Sequence, residues 1–314
     1  MKPENIFSKD FRIKIVSDGV WIAEHIDGGS HICGSGIIDL GEETLIIDTG
    51  LTPQTAHELR KAATCLTGRE PNFVVNDHWH EDHVRGNQVF QDTVIISSDA
   101  TRRILVSKGA SEIEKDYNNA KNGIEGINKQ LKQGTEEDKT FAKIFAGYLQ
   151  GMIDAYPVFR LTPPNITFNG SMSIHGSEKT VQLTEYRDAH SESDVVVFIP
   201  EDRLLFCGDL CYHGWHPCID MGNPLNILRI LDELKKFGAE VVVPSHSGFG
   251  GVEILDYGKE YINTLKALVQ EVIDRGGSVK DACTIPVPEE YRALKLEKFF
   301  YKRSLKKLYE VLKK

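Results

Sequence analysis

Apolar and polar residues alternate along much of the first fifty positions, a period-two pattern typical of strands that bury one face. The pattern predicts four strands, at residues 11–16, 20–23, 34–40 and 43–48. Gly41 and Glu42 separate the last two strands and indicate a hairpin turn. A helical period follows over about residues 52–67, and a short apolar run at residues 72–75 predicts a buried strand.

The middle of the chain has a different pattern. From about residue 99 to residue 156 the sequence is charged, and its apolar residues recur at helical spacing. This predicts an insert of two or three amphipathic helices. Such an insert could be a lid over a site, a dimer face or packing support, and the pattern does not distinguish these roles.

Strand patterns return in the second half of the chain. They predict strands at residues 171–174, 180–183, 194–199, 203–207 and 240–243. Helical periods predict helices at about residues 225–237, 253–275 and 288–314. The two halves therefore resemble each other as strands, then a helix, then a strand, which suits two similar halves packed sheet to sheet with helices outside.

The expected fold class is α/β. With 314 residues and 40% hydrophobic content, the chain can bury a substantial core. We expect a main domain over residues 1–275, which includes the helical insert at about 99–156. Residues 276–314 are expected to form a C-terminal helical extension packed on the same domain.

Charge and composition narrow the function classes. The net charge of −9 disfavours a nucleic-acid surface or a basic membrane-binding patch. The sequence has no apolar run long enough to cross a membrane, and the start from Met1 to Phe7 lacks an apolar signal core, so we expect a cytoplasmic location. The six cysteines include no Cys-x-x-Cys pair and are expected to be reduced and buried.

Residues 76–83, here termed the histidine loop, contain the pattern His-x-His-x-Asp-His. Imidazole nitrogen and carboxylate oxygen are ligands that suit a divalent cation such as zinc. His78 and His80 can point the same way and hold one ion, whereas Asp82 and His83 follow a turn later and can hold a second. The loop therefore predicts the start of two metal sites.

Three later residues complete the expected ligand set, namely His190, Asp209 and His246. Each follows a predicted strand, and a single His or Asp at such a place is usually a cap or a surface residue. Together they share one structural position, the C-terminal end of a strand, where α/β proteins place their chemistry.

The chain resembles the metallo-β-lactamase-fold superfamily of metal-dependent hydrolases, from about Gly19 to about Lys266. The family's motifs appear in order: Asp48-Thr49-Gly50, the His78-x-His80-x-Asp82-His83 signature, His190, Gly208-Asp209 and His246. All seven ligand positions are filled. The resemblance implies a four-layer αβ/βα sandwich with a helical insertion and C-terminal helices.

The same resemblance implies a binuclear centre. His78, His80 and His190 would hold one metal; Asp82, His83 and His246 would hold the other; and Asp209 would bridge them. Two divalent ions are expected, with zinc favoured and iron or manganese as alternatives. A metal-bridging hydroxide would then attack a small ester, thioester, lactone or amide.

The candidate catalytic residues are Asp82, Asp209 and Tyr212. Tyr212 lies where a tyrosine of the quorum-signal lactonases assists the substrate, although pocket packing is an alternative role. Asp48 is expected either to accept a hydrogen bond from a ligand histidine or to serve only as a turn residue. No further cofactor is expected.

Some details depart from the relatives. Gly86-Asn87 stands where Gly-Gly is frequent, and the insert is longer than in compact β-lactamases. The ligand set is more similar to that of glyoxalase II and the lactonases than to that of lactamases with a cysteine ligand. The alternative functions are a phosphodiesterase or nuclease of the same superfamily, or a non-catalytic metal-dependent binding protein. We expect a small-molecule substrate, no nucleic-acid or membrane partner, and leave a homodimer open.

Overall fold

The computed structural model describes residues 6–246 and 248–314. The chain divides into two compact units, one of residues 1–184 and 199–202 and the other of residues 185–198 and 203–314. Residues 1–5, part of the start that lacks an apolar signal core, lie outside the described residues. The expected boundary near residue 275 stays a prediction.

The first unit contains a seven-stranded sheet whose strands follow one another in chain order. They are β1 (Phe11–Ser17), β2 (Val20–His25), β3 (Ser35–Asp39), β4 (Thr44–Ile47), β5 (Phe73–Val75), β6 (Val94–Ser98) and β7 (Ile166–Phe168). Strands β1 to β4 pair antiparallel, and β4 to β7 pair parallel. Because β4 and β5 are parallel neighbours, their C-terminal ends lie at the same edge of the sheet.

The five strands predicted in this region are confirmed, but β6 and β7 were missed. Strand β7 has only three residues, and two of them are exposed. Its pairing with β6, which is distant in sequence, defines it more than any local pattern does.

Helix α1 (Pro53–Thr67) packs on this sheet. Thr52 caps its N-terminus by accepting a hydrogen bond from the Thr55 amide, and Gly68 ends it in the left-handed region with φ of 75°. The buried core of the unit includes Ile37, Ile46, Leu59, Val74 and Ile95.

A short helix, α2 (Glu81–Val84), lies within the histidine loop and just beyond it. The predicted helical insert is confirmed as α3 (Asp99–Gln133) and α4 (Glu136–Ala155). The turn between them closes with a capping box in which Thr135 and Asp138 exchange hydrogen bonds. Strand β8 (Ser171–His175) then pairs antiparallel with the start of β9 (Thr180–Arg187).

The second unit begins within β9 and adds strands β10 (Ser193–Ile199), β11 (Leu204–Gly208) and β12 (Val241–Pro244). In their sheet β12 neighbours β11 and β11 neighbours β10, and β11 and β12 are parallel. Its helices are α5 (Pro224–Leu234), α6 (Glu253–Asp274), α7 (Val279–Ala282) and α8 (Glu297–Leu312). The buried core of the unit includes Val196, Leu231, Tyr261, Leu265 and Leu305.

One helix boundary was wrong. The helix predicted from residue 288 begins at Glu297, because the residues just before it form a strand-like bridge and a left-handed turn. Lys295 forms an isolated parallel bridge with Trp215, and Leu296 adopts a left-handed conformation with φ of 68°. The other predicted strands and helices of this half are confirmed.

The mixed α/β class with two sheets is therefore confirmed. Four of the six cysteines are buried as expected, whereas Cys65 and Cys283 are partly exposed. In the part of the chain that the structure describes, no helix has both the length and the apolar character needed to span a membrane.

Gly86 and Gly126 make a matched pair of tests. A Cβ atom at Gly86 would lie 2.2 Å from the Thr49 carbonyl oxygen and 2.6 Å from the Ala56 Cβ, whereas a Cβ at Gly126 in α3 would meet nothing within 4 Å. We expect Gly86→Ala to lower the free energy of unfolding by about 1–3 kcal/mol. Gly126→Ala should raise it by about 0.5–1 kcal/mol, because alanine favours a helix interior.

Urea unfolding of both metal-free variants, followed by circular dichroism, measures these changes. A Gly86→Ala protein as stable as the wild type would contradict the close approach of this backbone to Thr49.

Candidate metal centre

The histidine loop begins where β5 ends, and Asp48 follows the neighbouring strand β4. The Asp48 amide donates to the Val75 carbonyl at 2.8 Å, and the Asn76 amide donates to the Ile96 carbonyl at 2.9 Å. These bonds extend the parallel ladder and bring the two strand ends together. The parallel pairing, and not sequence proximity, thus places Asp48 beside the loop.

Asp48 is fully buried and contacts the loop through both carboxylate oxygens. Its Oδ2 lies 2.9 Å from Nδ1 of His83, and its Oδ1 accepts from the Asp77 amide at 3.0 Å. Asp48 also adopts a left-handed conformation, with φ of 57°. Asp48 is therefore more than a turn residue, because its carboxylate is also the acceptor for a histidine of the loop.

His78 and His80 converge as predicted. Nε2 of His78 lies 2.8 Å from Nδ1 of His80, and Nδ1 of His78 lies 2.7 Å from Oδ1 of Asp77. His78 is buried and His80 is half-buried. The Trp79 ring lies edge-on to the His80 ring, with centroids 4.8 Å apart.

Asp82 and His83 form a second group with Cys33, whose ligand atoms all lie within 4.8 Å of one another. The Cys33 thiol donates to the Asp82 carbonyl oxygen at 2.8 Å. Burial raises the pKa of this thiol well above its usual range. Sequence spacing gave no signal for Cys33, because it lies 49 residues before Asp82.

Three buried carboxylates, those of Asp77, Asp82 and Asp48, make this region favour a positive charge. Burial opposes the ionisation of Asp77, but the imidazoles of His83 and His78 hold its pKa well below the usual range. Burial also opposes protonation of His83, but Asp77, Asp82 and Asp48 raise its pKa well above the usual range. A divalent cation would satisfy the same electrostatic demand and release that proton.

Asn76 and Asn87 brace the base of the loop. The amide nitrogen of Asn87 donates to the Asn76 side-chain oxygen at 2.8 Å, and the Thr49 hydroxyl donates to the Asn87 side-chain oxygen at 2.9 Å. The sequence alone gave no signal for this supporting role of Asn87.

In the second unit, two of the predicted ligands, His190 and His246, meet at a third, Asp209. Nε2 of His190 and Nε2 of His246 lie 3.4 Å and 3.3 Å from Oδ2 of Asp209. All three residues are buried. Asp209 and His246 follow β11 and β12, and the parallel pairing of these strands brings them to one edge. Nδ1 of His190 lies 3.2 Å from the Cys218 carbonyl oxygen, an acceptor that can fix its tautomer.

The segment after Asp209 separates into two groups of aromatic residues. Tyr212 is buried, donates its hydroxyl to Oδ2 of Asp209 at 2.7 Å and stacks on the His246 ring with centroids 5.5 Å apart. Trp215 also stacks on His246, at 5.3 Å. His216 instead faces the helical core, with Nδ1 2.9 Å from the Tyr261 hydroxyl.

Cys207 and Cys211 flank Asp209. Their Sγ atoms lie 3.0 Å apart, and both residues are buried. Neither belongs to a group of potential metal ligands among the described residues. Their contact is therefore with each other and with the core of the second unit.

Each unit supplies donors of the types that bind metal ions. The first unit supplies imidazole nitrogens and carboxylate oxygens from His78, His80, Asp82 and His83, and the second supplies them from His190, Asp209 and His246. These are ligand types that zinc binds. Acceptors contact the outer ring nitrogen of His78, His83 and His190. Such contacts orient metal-binding imidazoles in proteins.

A protein-family model described as the metallo-β-lactamase superfamily matches residues 28–246. The metallo-β-lactamase type 2 of Bacteroides fragilis is 26% identical over 108 residues. That stretch is 33% of this chain and 43% of the relative, so the chain matches less than half the length of that relative.

Solved metallo-β-lactamases are similar over most of the chain. The protein from Pontibacter korlensis has a TM-score of 0.57 and 17% identity, covering 81% of this chain and 99% of that one. The mono-zinc form of FIM-1 from Pseudomonas aeruginosa has a TM-score of 0.58 and 13% identity, covering 81% and 96%. At such identities the likeness concerns the fold, and it confirms the fold family expected from the sequence.

His216 predicts a pH dependence of stability. Burial lowers the pKa of His216 to about 4 from its ordinary 6.5, so the folded state resists protonation while the unfolded state accepts it. Stability is therefore fully present above about pH 6.5 and is lost as the pH falls toward 4. The loss should reach at most about 3 kcal/mol.

Urea unfolding of metal-free protein between pH 7 and 4 compares the wild type with His216→Gln, which does not titrate. The wild type should lose more stability over this range than the variant does. Parallel pH profiles would show that His216 is not shielded from protons in the folded state.

Proposed function

Because the chain belongs to the metallo-β-lactamase superfamily, we propose that it is a metal-dependent hydrolase acting on a small ester, thioester, lactone or amide. The observation that carries this proposal is the histidine loop. His78 and His83 each have a buried carboxylate at Nδ1, from Asp77 and Asp48 respectively. Each contact leaves Nε2 as the ring nitrogen suited to a metal.

The proposed centre is binuclear. His78, His80 and His190 would hold one ion, Asp82, His83 and His246 would hold the other, and Asp209 would be shared. This assignment is supported by the convergence of His78 with His80 and by the position of Asp209 between the imidazoles of His190 and His246. We propose zinc, although iron and manganese accept the same ligands. One similar structure is a mono-zinc form, and metal analysis of this protein measures how many ions each chain binds.

The bound cations would supply a Lewis acid and a water of lowered pKa at neutral pH. The chain's own residues prepare for this chemistry. Asp48 holds a proton at Nδ1 of His83, and Asp77 does the same for His78. Asp82 and Asp209 are the proposed catalytic carboxylates, and the hydroxyl of Tyr212 orients Asp209. Tyr212 could also reach the substrate, and its substitution separates the two roles.

The first test uses His80→Ala. We expect this variant to lose most bound metal and all hydrolytic activity, because it removes a donor that faces His78. Metal content is measured by mass spectrometry, and activity on an ester, a lactone, a thioester, an amide and a bis-aryl phosphate, with and without chelator. His57→Ala, which removes an exposed imidazole from α1, is the control and should behave as the wild type.

Full turnover by metal-free protein would overturn the proposed mechanism. Hydrolysis of the phosphate diester alone would instead support a phosphodiesterase. A protein that binds metal and hydrolyses none of the five would support a binding role.

The second test uses Tyr212→Phe, which removes only the hydroxyl bonded to Asp209. If Tyr212 orients the carboxylate, zinc affinity should fall by about 10-fold, as for other residues that support metal ligands. If it assists the substrate, kcat should fall while zinc affinity holds. Tyr257→Phe, in α6, is the control. An unchanged kcat on every accepted substrate would remove the catalytic role.

A further inference from the structure

The helical insert is tied to the histidine loop by two polar contacts. The Tyr148 hydroxyl of α4 donates to Oε1 of Glu81, which lies between His80 and Asp82 in the chain. The guanidinium of Arg85, just after the loop, pairs with Asp116 of α3. Both helices of the insert therefore contact the segment that carries four of the proposed ligands.

The ion pair between Arg85 and Asp116 is largely shielded from water. The side chains of Arg85 and Asp116 are 6% and 19% exposed, so their ion pair is screened less than a surface pair. The Arg85 guanidinium also lies over the Phe159 ring, 5.5 Å from its centroid. Removing one partner would leave a buried charge or acceptor unsatisfied, so the alternatives to this geometry are costly.

Helix α4 also packs closely against the body of the first unit. A Cβ atom at Gly147 would lie 2.1 Å from the Gly28 carbonyl oxygen, and one at Gly151 would lie 2.6 Å from the Ser30 Cβ. Met152 packs in a small buried cluster with Leu51, which follows the Asp48-Thr49-Gly50 corner. The insert is thus seated against both the histidine loop and the corner that supports it.

We infer that the helical insert is a positioning element for the metal centre, in which Tyr148 and Asp116 fix Glu81 and Arg85 and thereby the orientation of the flanking ligands. This inference rests on the proposed function. It assigns a role to a segment for which the sequence left a lid, a dimer face and packing support open. Tyr148 and Asp116 touch neither substrate nor metal in this role and act through the loop.

The test measures zinc affinity by competition with a chromophoric chelator. Tyr148→Phe and Asp116→Asn should each weaken zinc binding by about 10-fold. Tyr156→Phe is the matched control, because it removes a hydroxyl from the end of the same insert at a ring that stacks on Tyr117. Its zinc affinity should equal that of the wild type.

A double-mutant cycle distinguishes positioning from general packing. If the Tyr148 hydroxyl acts through Glu81, then adding Tyr148→Phe to Glu81→Met should weaken zinc binding no further. Amide exchange of residues 78–86 in the metal-free protein should also quicken in Tyr148→Phe and stay unchanged in Tyr156→Phe.

Different results would overturn the proposed metal centre and the proposed role of the helical insert. A wild-type protein that binds no zinc, iron or manganese would overturn the proposed centre and this inference together. A wild type that binds zinc, with Tyr148→Phe and Asp116→Asn binding equally tightly, would overturn the inference alone. A variant that unfolds more easily but keeps its zinc affinity and loop exchange would reduce the insert to packing support.

Discussion

The fully buried contact between Asp48 and His83 is the interaction on which the rest of the first unit depends. Burial and the neighbouring Asp77 raise the pKa of Asp48 to about 7, so its carboxylate depends on partners held at a fixed distance. The same corner includes the left-handed backbone at Asp48 and the close approach of Gly86 to Thr49. The corner after β4 and the loop after β5 are consequently one structural feature, although the contact joins residues 35 positions apart.

In the second unit, the corresponding buried carboxylate is that of Asp209. Asp209 is buried, and its Oδ2 lies within 3.4 Å of both His190 and His246. The hydroxyl of Tyr212 donates to the same oxygen. A carboxylate with this many polar neighbours is held in one orientation. The buried rings of Tyr212 and Trp215 also cover the His246 ring.

The insert shows how a common fold acquires individual features. Similar solved proteins share this fold at 13–17% identity, so the architecture itself does not specify a substrate. Inserted segments supply such differences. Here the insert packs by glycine contacts and a shielded ion pair, which are features of a fixed element more than of a mobile one.

Sequence patterns predicted the strands β1 to β5, the helical insert and the candidate donor types, because these depend on local periodicity and on chemistry within a few residues. The contacts between distant residues appear only in the tertiary structure. Cys33 meets Asp82 across 49 positions, and Tyr148 meets Glu81 across 67. The tertiary structure also decided β7 and the late start of α8, since strand pairing and the Trp215–Lys295 bridge are not local. Hydrogen bonds between distant residues depend on how strands are ordered in a sheet, and local patterns along one sequence do not show that order.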